Sequence, residues 1–140
     1  TANIGMEYTA TRVIDRAILD RFSLIEMDVL SEDDEYTLLK GKFPTIDENT
    51  LLSLCSIVGD IRKETNTDSP RISTMVSTRN TIEIAELIID GFSIHDAAEL
   101  LIYPLFPNDG NDSERVYVKQ LIQKYVGSKS KKQLFDIENI

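Results

Sequence analysis

The sequence predicts a mainly helical chain, in which a short helix and one strand lead into a bundle of four or five helices. Three observations carry that expectation. Apolar residues recur at helical spacing in several stretches, as in Ile82, Ile84, Ala85, Ile88 and Ile89, the mark of a helix with one buried face. Ser or Thr stands where these stretches begin, and Gly or Pro where they stop, which matches the chemistry of helix ends. A single run, with Phe22, Leu24, Ile25, Met27 and Val29, is apolar, short and interrupted by Glu26 and Asp28, a length that suits a strand.

The first helix of the bundle begins at Ser31. That residue is an N-cap, and Glu32, Asp33 and Asp34 follow in the first turn, where the helix dipole favours negative charge. These carboxylates read as capping chemistry and not as a calcium loop, which needs a central glycine and a terminal glutamate. Lys40 and Lys42 complement the other pole, and Gly41 or Pro44 stops the helix. Thr45 and Glu48 then form the pattern of a capping box. It opens a helix whose apolar face holds Leu51, Leu52, Cys55, Ile57, Val58 and Ile61 and runs to Arg62. The stretch NTDSPRISTMVS is rich in turn formers and contains Pro70, so a loop of about ten residues is expected there, long enough to be functional.

Ser77 or Thr78 caps the third helix and Gly91 ends it; Ser93 caps the fourth, with Asp96 completing a short capping box, and Pro104 closes it. The last helix shows Val116, Val118, Leu121, Ile122 and Tyr125 and is expected to stop at Gly127. The tail SKSKKQLFDIENI has no helical stripe and reads as a flexible end or a docking peptide.

Composition narrows the function classes. A chain of 140 residues is one ordinary domain, or a small domain joined to part of another. A formal charge of -9 opposes general binding to nucleic acid or a membrane surface, since such proteins carry a basic field. A local basic phosphate site remains open. The lone Cys55 cannot make an internal disulfide and lies in the apolar run LLSLCSIV, so it reads as a buried thiol in a protein of the reducing cytoplasm. No run of about 18 apolar residues and no signal peptide occurs. The opening TANIG, without a methionine, is the expected look of a fragment or processed product.

Arg12, Arg16 and Arg21 crowd the entrance of the predicted strand. Arg12 and Arg16 are neighbours on one helix face, and Arg21 stands where helix gives way to strand. Surface ion pairs with Asp15 and Asp20 would explain them. So would a phosphate, whose oxygens match the planar guanidinium fork.

With these residues in view, TANIGMEYTATRVIDRAILDRF resembles the AAA+ ATPase segment that runs from the sensor-1 strand to the strand closing the nucleotide core. The resemblance is closest to MoxR-type proteins and their relatives, including chelatase subunits and phage-encoded members, and spans roughly residues 1 to 126. It implies that residues 1–30 end an α/β P-loop core, that 31–127 form a helical lid, and that 128–140 are a tail. Asn3 then resembles sensor 1, and Arg21 in LDRF resembles the arginine finger that acts in the neighbouring subunit, with Arg16 as the alternative and Arg12 as a second intersubunit contact. Arg79 resembles the sensor-2 arginine; Arg71, in SPRIS, is the alternative. A guanidinium in a helix's first turn faces phosphate together with the positive end of the dipole, which favours Arg79.

The chain has no G-x-x-x-x-G-K-[ST] loop and no acidic Walker B strand. The resemblance implies that both lie upstream of Thr1, that ATP and Mg are held mainly by residues outside this chain, and that the chain alone does not turn over ATP. The implied assembly is a cytoplasmic homo-oligomeric ring, hexameric by family analogy, that remodels a protein substrate or works with an adaptor; in a phage-encoded member it would act in the host cytoplasm. Neither membrane nor nucleic acid is expected as partner.

The remaining candidates read as structural. His95 reads as a capping or surface residue, Tyr103 and Phe106 as core, Glu114 and Arg115 as first-turn and surface charges, and Lys129, Lys131 and Lys132 as a solvated end. Two rival readings stand beside the ATPase: a non-catalytic helical protein-interaction module, and a replication-type AAA+ helicase or loader, which the acidic balance opposes.

Overall fold

A computed structural model describes Arg21, residues 28–110 and residues 112–136, with side chains as far as Val126. Among these residues there are five α-helices and no strand: α1 Glu32–Lys42, α2 Glu48–Thr65, α3 Thr78–Ile89, α4 Ile94–Leu101 and α5 Glu114–Asp136, with a 3-10 turn at Tyr103–Leu105. The mainly helical expectation therefore holds. The predicted strand falls almost wholly outside the described residues; Asp28 and Val29, at its end, are irregular and exposed.

Helix α2 is the centre of the bundle. Leu51, Leu54, Cys55, Ile57, Val58 and Ile61 are all buried, covering more of its circumference than a single stripe. Helices α1, α3 and α5 each pack against it, while α3 and α4 form a hairpin. Phe106 and Tyr103 fill the core beneath the 3-10 turn, as their spacing predicts. Each residue buried in this way adds roughly 1.5–3 kcal/mol of hydrophobic stabilisation for a large side chain.

Most helix starts obey their local chemistry. Ser31 Oγ accepts from the Asp34 amide at 3.2 Å, and Ser93 Oγ from the Asp96 amide at 3.1 Å. Ser77 and Asn80 form a full reciprocal capping box on α3. The end of α3 is a Schellman motif: the Phe92 amide donates to Leu87 O at 3.0 Å and Gly91 to Ile88 O at 3.1 Å. Gly91 takes φ 98° there, a conformation that a side chain would strain.

Three expectations need correction, and one choice between alternatives is resolved. The cap of α2 is Asp47, whose carboxylate accepts from the Thr50 amide at 2.9 Å. Thr45 instead lies in a turn closed by Ile46 N–H to Phe43 O at 3.2 Å. Burying Ile46 just before the cap, with Leu51 buried at the fourth helical position, is the arrangement of a hydrophobic staple, and it moves the start by two residues. Of the two stops expected for α1, the helix passes Gly41 and ends at Lys42, before Pro44.

The last helix does not end at Gly127 but continues to Asp136. An interior glycine costs only about 1 kcal/mol against alanine, and helix formers follow it. Finally, Glu114 and Arg115 are more than surface charges. Glu114 accepts from the Ser73 amide at 3.0 Å and its hydroxyl at 2.9 Å; Arg115 donates twice to Phe106 O, at 3.0 and 2.9 Å. They tie the start of α5 to the long loop and to the 3-10 turn.

Candidate functional site

The loop between α2 and α3 has no regular structure from Asn66 to Ser77, as expected, yet its second half is anchored. Ile72 and Val76 are buried in the core. The Val76 carbonyl then accepts from Arg62 Nε at 2.8 Å. Three residues farther on, Arg79 occupies the second position of α3 and is exposed. It has no ion-pair partner among the described residues. The capping box fixes the backbone beneath it, and Thr81, fully buried, donates its hydroxyl to Ser77 O at 3.2 Å. An unpaired guanidinium thus projects from a rigid first turn, where the helix dipole adds positive potential.

Beside this turn lies the most buried charge in the described residues. Arg62 Nη1 and Nη2 donate to the two carboxylate oxygens of Glu35 at 2.7 and 2.9 Å. Both side chains are withdrawn from water, 6% and 0% exposed. The same guanidinium reaches Leu30 O at 3.4 Å. Arg62 was expected only as the end of an apolar face, and Glu35 was not singled out. A signal did exist: Glu35 stands four residues before buried Leu39, and Arg62 four after buried Val58, so each charge sits on the inner stripe of its helix.

Around the entry to α1 is a groove of about 640 Å³ lined by Val29, Leu30, Glu32, Gly59, Arg62 and Lys63. Lys63 and Glu32 pair across its rim at 2.6 Å; both are well exposed, and such pairs add little stability. Glu32 is the first cause of the upward shift in the Lys63 ammonium. On the neighbouring face the Asp60 carboxylate accepts from Tyr125 Oη at 2.6 Å, joining α2 to α5.

The predicted site residues separate clearly. Asn3 and Arg16 lie outside the described residues, as does Arg12. Arg21 is described as an exposed turn residue. Arg79 has the free, capped position just described. Arg71 lies differently: its guanidinium sits 5.1 Å from the centre of the Tyr117 ring, bordering a cleft of about 430 Å³ with Asp112 and Ser113. Burial first, then the Glu64 carboxylate, raises the Tyr117 phenol's pKa. The two sensor-2 candidates thus have different surroundings, one open and one engaged on α5.

The donor set suits a phosphate better than a metal. Among the described residues, no group of three or more His, Cys, Asp or Glu side chains is placed to hold a metal ion. A phosphate oxygen would fit Arg79. His95 is exposed beside Asp96 at 3.7 Å, and Cys55 is buried. No helix of the described residues is long and apolar enough to cross a membrane.

Comparison with known proteins supplies the family. Residues 35–125 match the family described as CbbQ/NirQ/NorQ C-terminal. The chain is also similar to a candidate chaperone, BssE, of Thauera aromatica. The two are 34% identical over 97 residues, which is 69% of this chain and 32% of that protein. The chain therefore spans about a third of the length of that relative. The family match bears out the MoxR-type resemblance and the helical class of its C-terminal region. Asn3, Arg16 and Arg21 lie outside the matched residues.

Proposed function

The chain belongs to the CbbQ/NirQ/NorQ C-terminal family of MoxR-type AAA+ ATPases, and on that premise we propose that it is the helical lid of a ring-forming ATPase that remodels a partner protein. ATP, bound with magnesium by residues upstream, supplies the phosphoryl group. Arg79 contacts the phosphates of the same subunit's nucleotide, as a sensor-2 arginine. The observation carrying this reading is the exposed guanidinium of Arg79 on the capped first turn of α3, within the matched residues. Arg71, which stacks on Tyr117, is the alternative.

In the same reading Asn3 orients the attacking water, and Arg21, with Arg16 as the alternative, reaches the neighbouring subunit's nucleotide. The assembly is a hexameric ring in the cytoplasm, acting on a protein substrate or through an adaptor.

The test is ATP turnover by the intact native gene product as its concentration is raised, beside Arg79→Ala, Arg71→Ala and Arg21→Ala. Turnover should rise cooperatively with assembly. Arg21→Ala should lose on the order of 10³ in rate while nucleotide still binds. Arg79→Ala should lose roughly tenfold or more, the worth of a charge-assisted hydrogen bond, and Arg71→Ala little. An intact protein that neither binds nor turns over ATP would sink the reading and leave the helical interaction module.

A further inference from the structure

We propose that Arg62 is a positioning residue for Arg79: one buried guanidinium joins the segment entering the bundle to the turn that presents Arg79, so that the two keep a set relation. The proposal rests on the reading of Arg79 given above.

Three separate pieces of chain meet on this side chain. Leu30 O, at the entry to α1, accepts at 3.4 Å; Glu35, in the first turn of α1, accepts at 2.7 and 2.9 Å; Val76 O, at the end of the long loop, accepts at 2.8 Å. The path from Val76 to Arg79 is three residues long and stiffened by the Ser77–Asn80 box. Arg62 thus ties the backbone beneath Arg79 to Leu30, in addition to the anchoring of the loop by buried Ile72 and Val76. Beside the direct packing of α1 on α3, these bonds give a displacement of the entry segment a path to the first turn of α3.

Stability alone is a poor reason for this arrangement. Burying two charges costs heavy desolvation, and well-packed apolar residues often stabilise as well or better. What an apolar pair lacks is direction. A planar fork with five donors fixes these four acceptor oxygens in angle as well as distance, and a lysine's point charge cannot do so.

The experiment is a double-mutant cycle in the intact native gene product, pairing Arg62→Lys with Arg79→Ala and reading kcat, KM for ATP and Tm. Arg62→Lys is expected to lower kcat by about tenfold with Arg79 present and to have no further effect on kcat once Arg79 is gone. Its effect on Tm should be the same in both backgrounds. An equal kcat loss in both backgrounds, or none in either, overturns the positioning role while Arg79 keeps its own. If Arg79→Ala itself leaves kcat and KM unchanged, the reading of Arg79 falls and this inference with it. Should Arg62→Lys fail to fold, Glu35→Gln takes its place; it keeps the side chain's shape and loosens one arm of the clamp. The same loss, silent without Arg79, is expected, and an additive loss overturns the proposal.

Discussion

Glu35 and Arg62 form a bidentate ion pair with both side chains out of reach of water, across 27 positions of sequence. It is the point where α1, α2 and the loop leading to α3 are fastened together. No buried side-chain nitrogen or oxygen among the described residues lacks a partner, so the pair's charge is answered on every side.

Breaking this pair from one side should be severe. Arg62→Ala leaves the Glu35 carboxylate buried alone, and Glu35→Ala does the converse. Each should lower unfolding free energy by about 3–5 kcal/mol in a denaturant titration. The double variant Glu35→Leu/Arg62→Met should recover most of that loss. It should still fall short of the native protein by about 1 kcal/mol, because Val76 O loses its donor.

Tyr125 tests the seam between α2 and α5. Its hydrogen bond to Asp60, and then burial, push the phenol up to about 12 from its ordinary 10.0. Tyr125→Phe should cost about 1 kcal/mol. Since the native phenol holds its proton longer than the unfolded one, its contribution is complete below about pH 10 and lost as pH rises toward 12. Tyr36, Tyr103 and Tyr117 are raised as well, so an ultraviolet titration should show several late-ionising tyrosines and lose one of them in the variant.

Cys55 should be inert while the protein is folded. It is 2% exposed in the core, and burial is the first reason its thiol is pushed up to about 12 from 9.0. A disulfide reagent should label it only at the rate of unfolding, rising with denaturant. The sign for pH is again a loss of stability as pH climbs from about 9 toward 12.

The two ends of α3 should respond to quite local changes. Ser77→Ala removes the Oγ that accepts from the Asn80 amide and donates to Asn80 Oδ1, while the Ser77 N–H bond to Asn80 Oδ1 remains; it should cost about 1 kcal/mol. Gly91→Ala places a side chain at φ 98° in the Schellman turn; it should cost on the order of 1 kcal/mol although nothing stands within 4 Å of the added carbon. Thermal unfolding of both variants measures these losses.

The sequence alone was enough for features decided within one helical turn. Ser31 and Ser93 cap the helices they were expected to cap, Ser77 is the cap of the pair Ser77 and Thr78, and Gly91 ends α3, because a cap bonds an amide only two or three residues away. The MoxR-type character was legible for a related reason, since order and spacing along the chain carry it. The place of Arg79 in a helix's first turn was likewise legible locally, while the ring beside Arg71 belongs to Tyr117 on another helix.

Tertiary structure decided the rest. Thr45 and Asp47 both have capping chemistry, and burial of Ile46 chose between them. Gly127 could end a helix or pass through one, and the long α5 passes it. Glu35 looked like one more carboxylate in an acidic first turn until α2 laid Arg62 against it. Local propensity specifies where a helix starts. Which charge is drawn into the core depends on partners far along the chain, and only packing brings them within hydrogen-bonding distance.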